Sequence, residues 1–138
     1  MNKFDLIVIG GGPGGYVAAI RAAQLGAKVA LIEKEQIGGT CLNRGCIPTK
    51  ALIASTSFLA KIKKAESLGI TTGAVKIDWP KVIERKNKIV AKLVKGVEQL
   101  LKGNGIEIIH GEGKVVEPGK VEVIQPDSSK TSTSSVES

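Results

Sequence analysis

Two cysteines lie close together in the segment GGTCLNRGCIPTK, residues 38–50. Four residues separate Cys41 from Cys46, and Gly45 allows the bend that would bring the two sulfur atoms within bonding distance. We expect a helix to begin near Cys46, where the positive end of the helix dipole favours a thiolate. Lys50 adds a positive charge one turn later. A pair with these properties can carry out thiol–disulfide exchange.

Other uses of the two cysteines fit the composition less well. A structural zinc site takes four ligands, whereas the chain offers two cysteines and one distant histidine, His110. Two cysteines are also too few for a disulfide scaffold, and a structural disulfide is unusual in a reducing compartment. The residues therefore favour a redox pair over these alternatives, and we predict no metal site.

The sequence GGGPGG, residues 10–15, fits the dinucleotide-binding pattern G-x-G-x-x-G. In that pattern Gly10 allows a tight turn, Gly12 lets the backbone approach a pyrophosphate, and Gly15 lets helix and strand pack closely. Glu33 follows Gly10 by 23 positions, where a carboxylate can accept hydrogen bonds from ribose hydroxyls. An acidic residue there argues against a 2′-phosphate, so we expect an NAD-like or FAD-like ligand rather than a plain turn.

The elements that position these motifs predict an α/β fold. Hydrophobic runs predict strands at Phe4–Ile9 and Lys28–Glu33, with an alanine-rich helix at Tyr16–Leu25 between them. A loop is expected at Gln36–Gly45, because this segment is rich in Gly, Asn and Thr. Strand, turn, helix and strand together form a βαβ unit, which is right-handed by default.

Two long helices are predicted after this unit. The first covers residues 46–68. The second starts at an N-cap, Asp78, has Pro80 in its first turn and ends at Lys102. Apolar residues recur along it at steps of three and four positions, so we expect one side of this helix to face the core.

The last part of the sequence predicts strands and then a tail. Ile106–His110 is predicted as a strand, and residues 113–124 as a hairpin that turns at Pro118–Gly119. The segment DSSKTSTSSVES, residues 127–138, is rich in Ser and Thr and has one apolar residue, so we predict that it is disordered. We therefore divide the chain into a nucleotide-binding part, residues 1–126, and a tail.

Composition and charge exclude several classes of protein. With 138 residues, of which 42% are hydrophobic, the chain is long and apolar enough to form a core. Its net charge of +7 comes from residues 60–102, where eleven Lys and Arg stand against four Asp and Glu. This basic stretch has no interleaved aromatic platform, so we expect no nucleic-acid binding. No apolar run reaches the roughly 18 residues of a membrane span and no leader is visible, so we expect a cytoplasmic protein without membrane association.

Three segments of the sequence resemble the flavin-dependent disulfide reductases. They are VIGGGPGGYVAA, LIEKE and GGTCLNRGCIPTKAL, and the resemblance extends from about Phe4 to Ile124. Glutathione and mercuric reductases share the spacing of the two cysteines. The Leu-Asn pair between the cysteines and the Ile-Pro-Thr-Lys-Ala-Leu that follows them favour the dihydrolipoamide dehydrogenases within this group.

The resemblance implies a Rossmann-like, three-layer FAD-binding domain that carries a long helical excursion and a hairpin. It implies that Cys46 faces the flavin, that Cys41 exchanges with the substrate, and that Lys50 lies near the reactive edge of the flavin. Glu33 would bind the adenosine ribose and Gly113 would lie against the adenine. The full set of implied cofactor-binding residues is Gly10, Gly12, Pro13, Gly14, Gly15, Glu33, Lys34, Gly39, Thr40, Cys41, Cys46, Lys50 and Gly113.

The family reaction oxidises dihydrolipoamide and passes the electrons through the disulfide and FAD to NAD. Its partners are the 2-oxoacid dehydrogenase complexes, and the family enzymes are homodimers several times longer than this chain. We therefore expect an incomplete N-terminal fragment that lacks the NAD domain and the catalytic His–Glu base, and that is inactive alone. His110 is expected to be a structural or surface residue. The alternative is a non-catalytic remnant that binds FAD or acts only in assembly.

Overall fold

The computed structural model describes residues 2–125 and 131–136. It contains four α-helices, seven strands and a short 3₁₀ helix at Ala65–Leu68 within these residues. The helices are α1 (Pro13–Gln24), α2 (Gly39–Asn43), α3 (Cys46–Lys63) and α4 (Trp79–Gly103). The strands are β1 (Asn2–Phe4), β2 (Leu6–Ile9), β3 (Val29–Glu33), β4 (Glu107–His110), β5 (Glu112–Glu117), β6 (Lys120–Ile124) and β7 (Thr131–Val136).

Two sheets and a helical layer make up the fold. A parallel sheet has the order β2-β3-β4, and a second sheet has the order β1-β7-β6-β5. Side chains alternate between the two faces of the central strand β3. Leu31 belongs to the cluster formed with α1 and α4, whereas Ile32 packs against Val121 and Val123 of the second sheet. The predicted α/β, Rossmann-like architecture with three layers is therefore confirmed.

The first predicted strand is interrupted at Asp5. The Asp5 carboxylate accepts a hydrogen bond from the Lys28 backbone N–H (2.6 Å), and the Asp5 N–H donates to the Lys28 carbonyl (2.9 Å). The chain therefore bends at Asp5, so that β1 joins the second sheet while β2 joins the parallel sheet. The prediction of a single strand over Phe4–Ile9 is therefore wrong. Asp5 lies within a run of strand-forming residues, but its bonds to Lys28 interrupt the strand.

The predicted disordered tail is wrong for Thr131–Val136. These residues form β7, which pairs in parallel with β1 and antiparallel with β6. Ser134 is only 3% exposed. Because both edges of β7 are paired, backbone hydrogen bonds hold a strand whose side chains supply little apolar burial. Residues 127–130 and 137–138 lie outside the described residues.

The predicted helices are confirmed, but their bounds differ. The helix predicted at Tyr16–Leu25 is α1, which begins earlier, at Pro13. Of the two long helices, α3 ends at Lys63 and is followed by the 3₁₀ helix, so it is shorter than the predicted helix over residues 46–68. The Asp78 side chain accepts a hydrogen bond from the Lys81 N–H (3.1 Å), which confirms the predicted N-cap of α4. Leu101 in the apolar stripe of α4 is buried, whereas Ile83 and Leu93 nearer its start remain exposed.

The hairpin formed by β5 and β6 is also confirmed, with antiparallel pairing. Within residues 2–125 and 131–136, no helix is long and apolar enough to cross a membrane.

Candidate active site

The glycine-rich turn joins the end of β2 to the start of α1, as the sequence predicts. Gly10 has a φ of 102°, a left-handed conformation that favours glycine, and its N–H donates to the Ile32 carbonyl (2.8 Å). A Cβ atom on Gly15 would lie 1.8 Å from the Gly10 carbonyl oxygen, closer than two non-bonded atoms can approach. Gly15 therefore permits α1 to start directly against the end of β2, which is the role that the motif assigns to it.

Glu33 lies at the end of β3 and is only 8% exposed. Its Oε2 atom accepts a hydrogen bond from the Gly11 N–H (2.7 Å), and its Oε1 atom accepts one from the Glu35 N–H (2.8 Å). A carboxylate has about four lone-pair sites, so acceptor capacity remains for ribose hydroxyls. Glu33 therefore orders the glycine turn and is also placed to bind a nucleotide beside it.

The surroundings of the turn fit a dinucleotide cofactor. A Cβ on Gly14, in the first turn of α1, would contact nothing within 4 Å, so no other atoms pack beside this glycine. The first turn of α1 contains no acidic residue, and no side chain caps its N-terminus. The first N–H groups of α1 therefore have no side-chain acceptor, as phosphate binding requires. Pro13 occupies the first turn of α1, where its missing N–H costs nothing.

A cleft of 210 Å³ opens next to Glu33. Lys34, Gly39 and Thr40 line it together with Glu33, so four of the residues predicted to bind a cofactor border one space. Both Lys34 and Thr40 are exposed.

The predicted loop at Gln36–Gly45 is partly helical. Residues 39–43 form the short helix α2, which was not predicted because this segment is rich in Gly, Asn and Thr. A Cβ on Gly39 would lie 2.8 Å from the Gly12 Cα atom, and the Gly38 N–H donates to the Gly11 carbonyl (2.8 Å). Backbone thus packs directly on backbone between the start of α2 and the glycine turn.

The two cysteines lie on either side of the short connection, residues 44–45, that joins α2 to α3. Cys41 is in α2 and is half-buried, while Cys46 is the first residue of α3 and is exposed. Both are free thiols. The Cys46 side chain is close enough to that of Cys41 to affect its pKa, and the predicted start of a helix at Cys46 is confirmed.

The pKa of the Cys41 thiol is raised. The main cause is the hydrogen bond with the Cys46 side chain, followed by loss of solvation and by the charge of Cys46. The Cys46 backbone N–H and the Lys50 charge act in the opposite direction and lower the pKa. At neutral pH, below this pKa, Cys41 is therefore mainly a protonated thiol.

Replacing Cys46 by alanine is expected to lower the pKa of Cys41. The substitution Cys46→Ala removes the side chain that raises this pKa and keeps the backbone N–H that lowers it. More Cys41 is then thiolate below its pKa, so alkylation of Cys41 by iodoacetamide at pH 8 should become several-fold faster, as measured by mass spectrometry of the Cys41 peptide. Lys50→Met is the opposite control, because losing this positive charge should slow alkylation. An unchanged or slower rate in Cys46→Ala would contradict the interpretation.

Lys50 and Gly113 are the other residues that the sequence predicts to bind the cofactor. Lys50 is exposed on α3, one turn after Cys46. The Gly111 N–H donates to the Glu33 carbonyl (3.0 Å), and a Cβ on Gly113 would contact Ile32 at 3.2 Å. Gly113 therefore lies against Ile32, the residue that precedes Glu33 in β3.

His110 is exposed and borders a different cleft, between α4 and the segment that follows β3. Within the described residues, no group of three or more His, Cys, Asp or Glu side chains is arranged to hold a metal ion.

Sequence reasoning missed three residues that shape the site. Gly11 donates its N–H to Glu33, and Gly38 ties the glycine turn to α2. Asn43 donates two hydrogen bonds from its side-chain amide to the backbone before and within α2. A polar residue midway between two cysteines was the signal available for Asn43, although its partners follow only from the folded backbone.

Comparisons with known proteins agree with this geometry. The family model described as pyridine nucleotide-disulphide oxidoreductase matches residues 4–136. The chain is similar to proteins named dihydrolipoyl dehydrogenase from Acholeplasma laidlawii (48% identity over 131 residues), Geobacillus stearothermophilus (52% over 129) and Staphylococcus aureus (49% over 127). These alignments cover 94%, 94% and 92% of this chain. The chain spans 39% of the length of the first relative and 27% of the other two.

Proposed function

This chain belongs to the pyridine nucleotide-disulphide oxidoreductase family, and from that premise we propose that it provides the FAD site and the redox-active disulfide of a dihydrolipoyl dehydrogenase. The observation that carries the proposal is the direct packing of Gly39 on Gly12. This contact joins the nucleotide-binding turn to the helix that holds Cys41. One site can then hold a dinucleotide and place a dithiol pair beside it.

In this proposal the chain's own residues bind the cofactor and exchange electrons with a dithiol. Gly12, Gly14 and Gly15 offer backbone N–H groups to the pyrophosphate, and Glu33 accepts the ribose hydroxyls. FAD, when bound, would supply a two-electron acceptor next to Cys46. Lys34, Gly39, Thr40, Lys50 and Gly113 complete the proposed site.

The exchange step uses Cys41 and Cys46 as a disulfide. A substrate thiolate attacks the Cys41 sulfur and displaces Cys46, and the second substrate thiolate then displaces Cys41. The substrate dithiol is oxidised to a disulfide, and the protein disulfide is reduced to two thiols. The proposed substrate is dihydrolipoamide of the 2-oxoacid dehydrogenase complexes, because the similar proteins are named dihydrolipoyl dehydrogenases.

We propose that this chain alone performs only the first half of the reaction. Electron transfer to NAD would require parts of the relatives that this chain does not span. In addition, the raised pKa makes the Cys41 thiolate a slow leaving group in the second displacement, so rapid exchange at neutral pH calls for a general acid that protonates Cys41 as it leaves. A homodimeric state and a cytoplasmic location stay predictions.

The test is a visible absorption spectrum after incubation with FAD and gel filtration. We expect retained flavin and, on addition of one equivalent of dihydrolipoamide, a new band at longer wavelength from the Cys46 thiolate next to the ring. Cys46→Ser is the control and should retain flavin without this band. Later addition of NAD should leave the reduced spectrum unchanged. A colourless protein would contradict the proposed FAD site, and retained flavin without the band would favour a non-catalytic FAD-binding module.

A further inference from the structure

The helix that carries Cys41 is too short to be stable by itself. α2 has five residues, whereas isolated helices of fewer than about 12 residues are marginal in water. Its N-cap, Gly38, makes no side-chain capping bond. Contacts with the rest of the fold must therefore hold α2 in place.

Asn43, the last residue of α2, provides one such contact. Its Nδ2 atom donates to the Ile37 carbonyl (3.0 Å) and to the Gly39 carbonyl (2.9 Å), so both hydrogens of the side-chain amide are used. Ile37 is 2% exposed and belongs to the main hydrophobic cluster. The Asn43 amide therefore connects the end of α2 to a residue that is fixed in the core.

Other contacts of this segment act differently. The Arg44 N–H donates to the Thr40 carbonyl (2.8 Å), a bond that stays within the turn of α2 itself. The Arg44 side chain pairs with Glu35, but both side chains are more than half exposed, so this ion pair contributes little. Asn43 differs because it reaches from α2 into the buried backbone that precedes the helix.

We propose that Asn43 is the positioning residue of the cysteine pair. By fixing α2 to the backbone at Ile37, it holds the Cys41 sulfur beside Cys46 in the geometry that a disulfide needs. This inference rests on the proposed redox function. Asn43 acts through the position of Cys41, because its side-chain amide bonds to the backbone at Ile37 and Gly39.

The experiment measures the equilibrium between the dithiol and the disulfide in a glutathione buffer, using the full 138-residue chain. One glutathione disulfide is reduced to two glutathione thiols while the thiols of Cys41 and Cys46 are oxidised to one disulfide. Loss of the two amide hydrogen bonds in Asn43→Ala should lower this equilibrium constant about tenfold, because each neutral hydrogen bond contributes modestly. Cys41 alkylation at pH 8 should also become faster, because the Cys46 side chain that raises the pKa of Cys41 is no longer held beside it.

Asn104→Ala is the matched control. Asn104 lies at the C-terminal end of α4 and its Nδ2 donates to the Leu100 carbonyl (2.8 Å), the same type of bond at a distance in sequence from the cysteines. Asn104→Ala should lose about as much thermal stability as Asn43→Ala. Its equilibrium constant for disulfide formation should stay at the wild-type value. Asn43→Gln retains the amide donors and should recover part of the effect. Asn43→Ser, which retains one hydroxyl donor, replaces the alanine variant if that variant does not fold.

The outcomes separate the two proposals. Wild-type protein that forms no disulfide in the buffer would contradict the proposed redox function. Wild-type protein that forms it, together with an Asn43→Ala constant equal to that of Asn104→Ala, would overturn the positioning role alone. A selective loss in Asn43→Ala with partial recovery in Asn43→Gln supports the inference, because a general loss of stability would affect both asparagine sites.

Discussion

Gly15→Ala should destabilise the fold and abolish FAD binding. The added Cβ would lie 1.8 Å from the Gly10 carbonyl oxygen and 2.9 Å from its carbonyl carbon. These are backbone atoms at the end of the central sheet, and they cannot move aside without separating α1 from β2. We expect a loss of about 3–5 kcal/mol in the free energy of unfolding, measured by urea denaturation. Flavin retained after gel filtration should fall to background.

Gly14→Ala is the matched control for this prediction. It places the same methyl group one position earlier, where a Cβ would meet nothing within 4 Å. Because alanine is a better helix former than glycine, this variant should be as stable as the wild type or more stable by about 0.5–1 kcal/mol. Equal stability of the two variants would show that the close contact at Gly15 does not determine the position of α1.

Glu33→Gln should weaken both the glycine turn and cofactor binding. The wild-type carboxylate accepts from the Gly11 N–H and from the Glu35 N–H, whereas the glutamine amide can accept with its oxygen only. One buried donor then faces an NH₂ group, at a cost of about 1–3 kcal/mol in the free energy of unfolding. Losing the charged acceptor for the ribose as well should weaken FAD binding by about 10- to 100-fold, measured by flavin fluorescence titration.

Glu35→Gln makes the same chemical change two positions away. Glu35 is exposed and its ion pair with Arg44 is a surface contact, so the free energy of unfolding should change by less than about 1 kcal/mol. FAD affinity should stay close to that of the wild type. If the two variants bind FAD equally well, Glu33 is not the ribose acceptor.

The site could be predicted wherever local sequence determines geometry. The glycine turn, the carboxylate at the end of β3 and the helix starting at Cys46 each depend on residues within a few positions of one another. The Asp78 cap and the turn at Pro118–Gly119 are also local signals, and both are confirmed. These features have strong sequence signatures because few residue types satisfy the backbone conformation or the hydrogen bond.

The features that could not be predicted depend on partners distant in sequence. β7 lacks alternating apolar residues, and its order comes from backbone pairing with β1 and β6. α2 is maintained by its contact with Gly12 and by Asn43. The bend at Asp5 depends on Lys28, which follows a whole helix later. In each case the stabilising partner becomes a neighbour only when the chain has folded.

The pairing of β1 with β7 sets an order of events during folding. Asn2 lies opposite Ser134, and Phe4 lies opposite Val136, so the first strand pairs with one formed about 130 residues later. At a synthesis rate of about 5–20 residues per second, β1 is made roughly 7–26 s before its partner strand. The parallel sheet, whose strands are complete at His110, can assemble in that interval. The closure of the second sheet is therefore the late step. Until it occurs, the N-terminal strand β1 of the nascent chain stays without its partner β7.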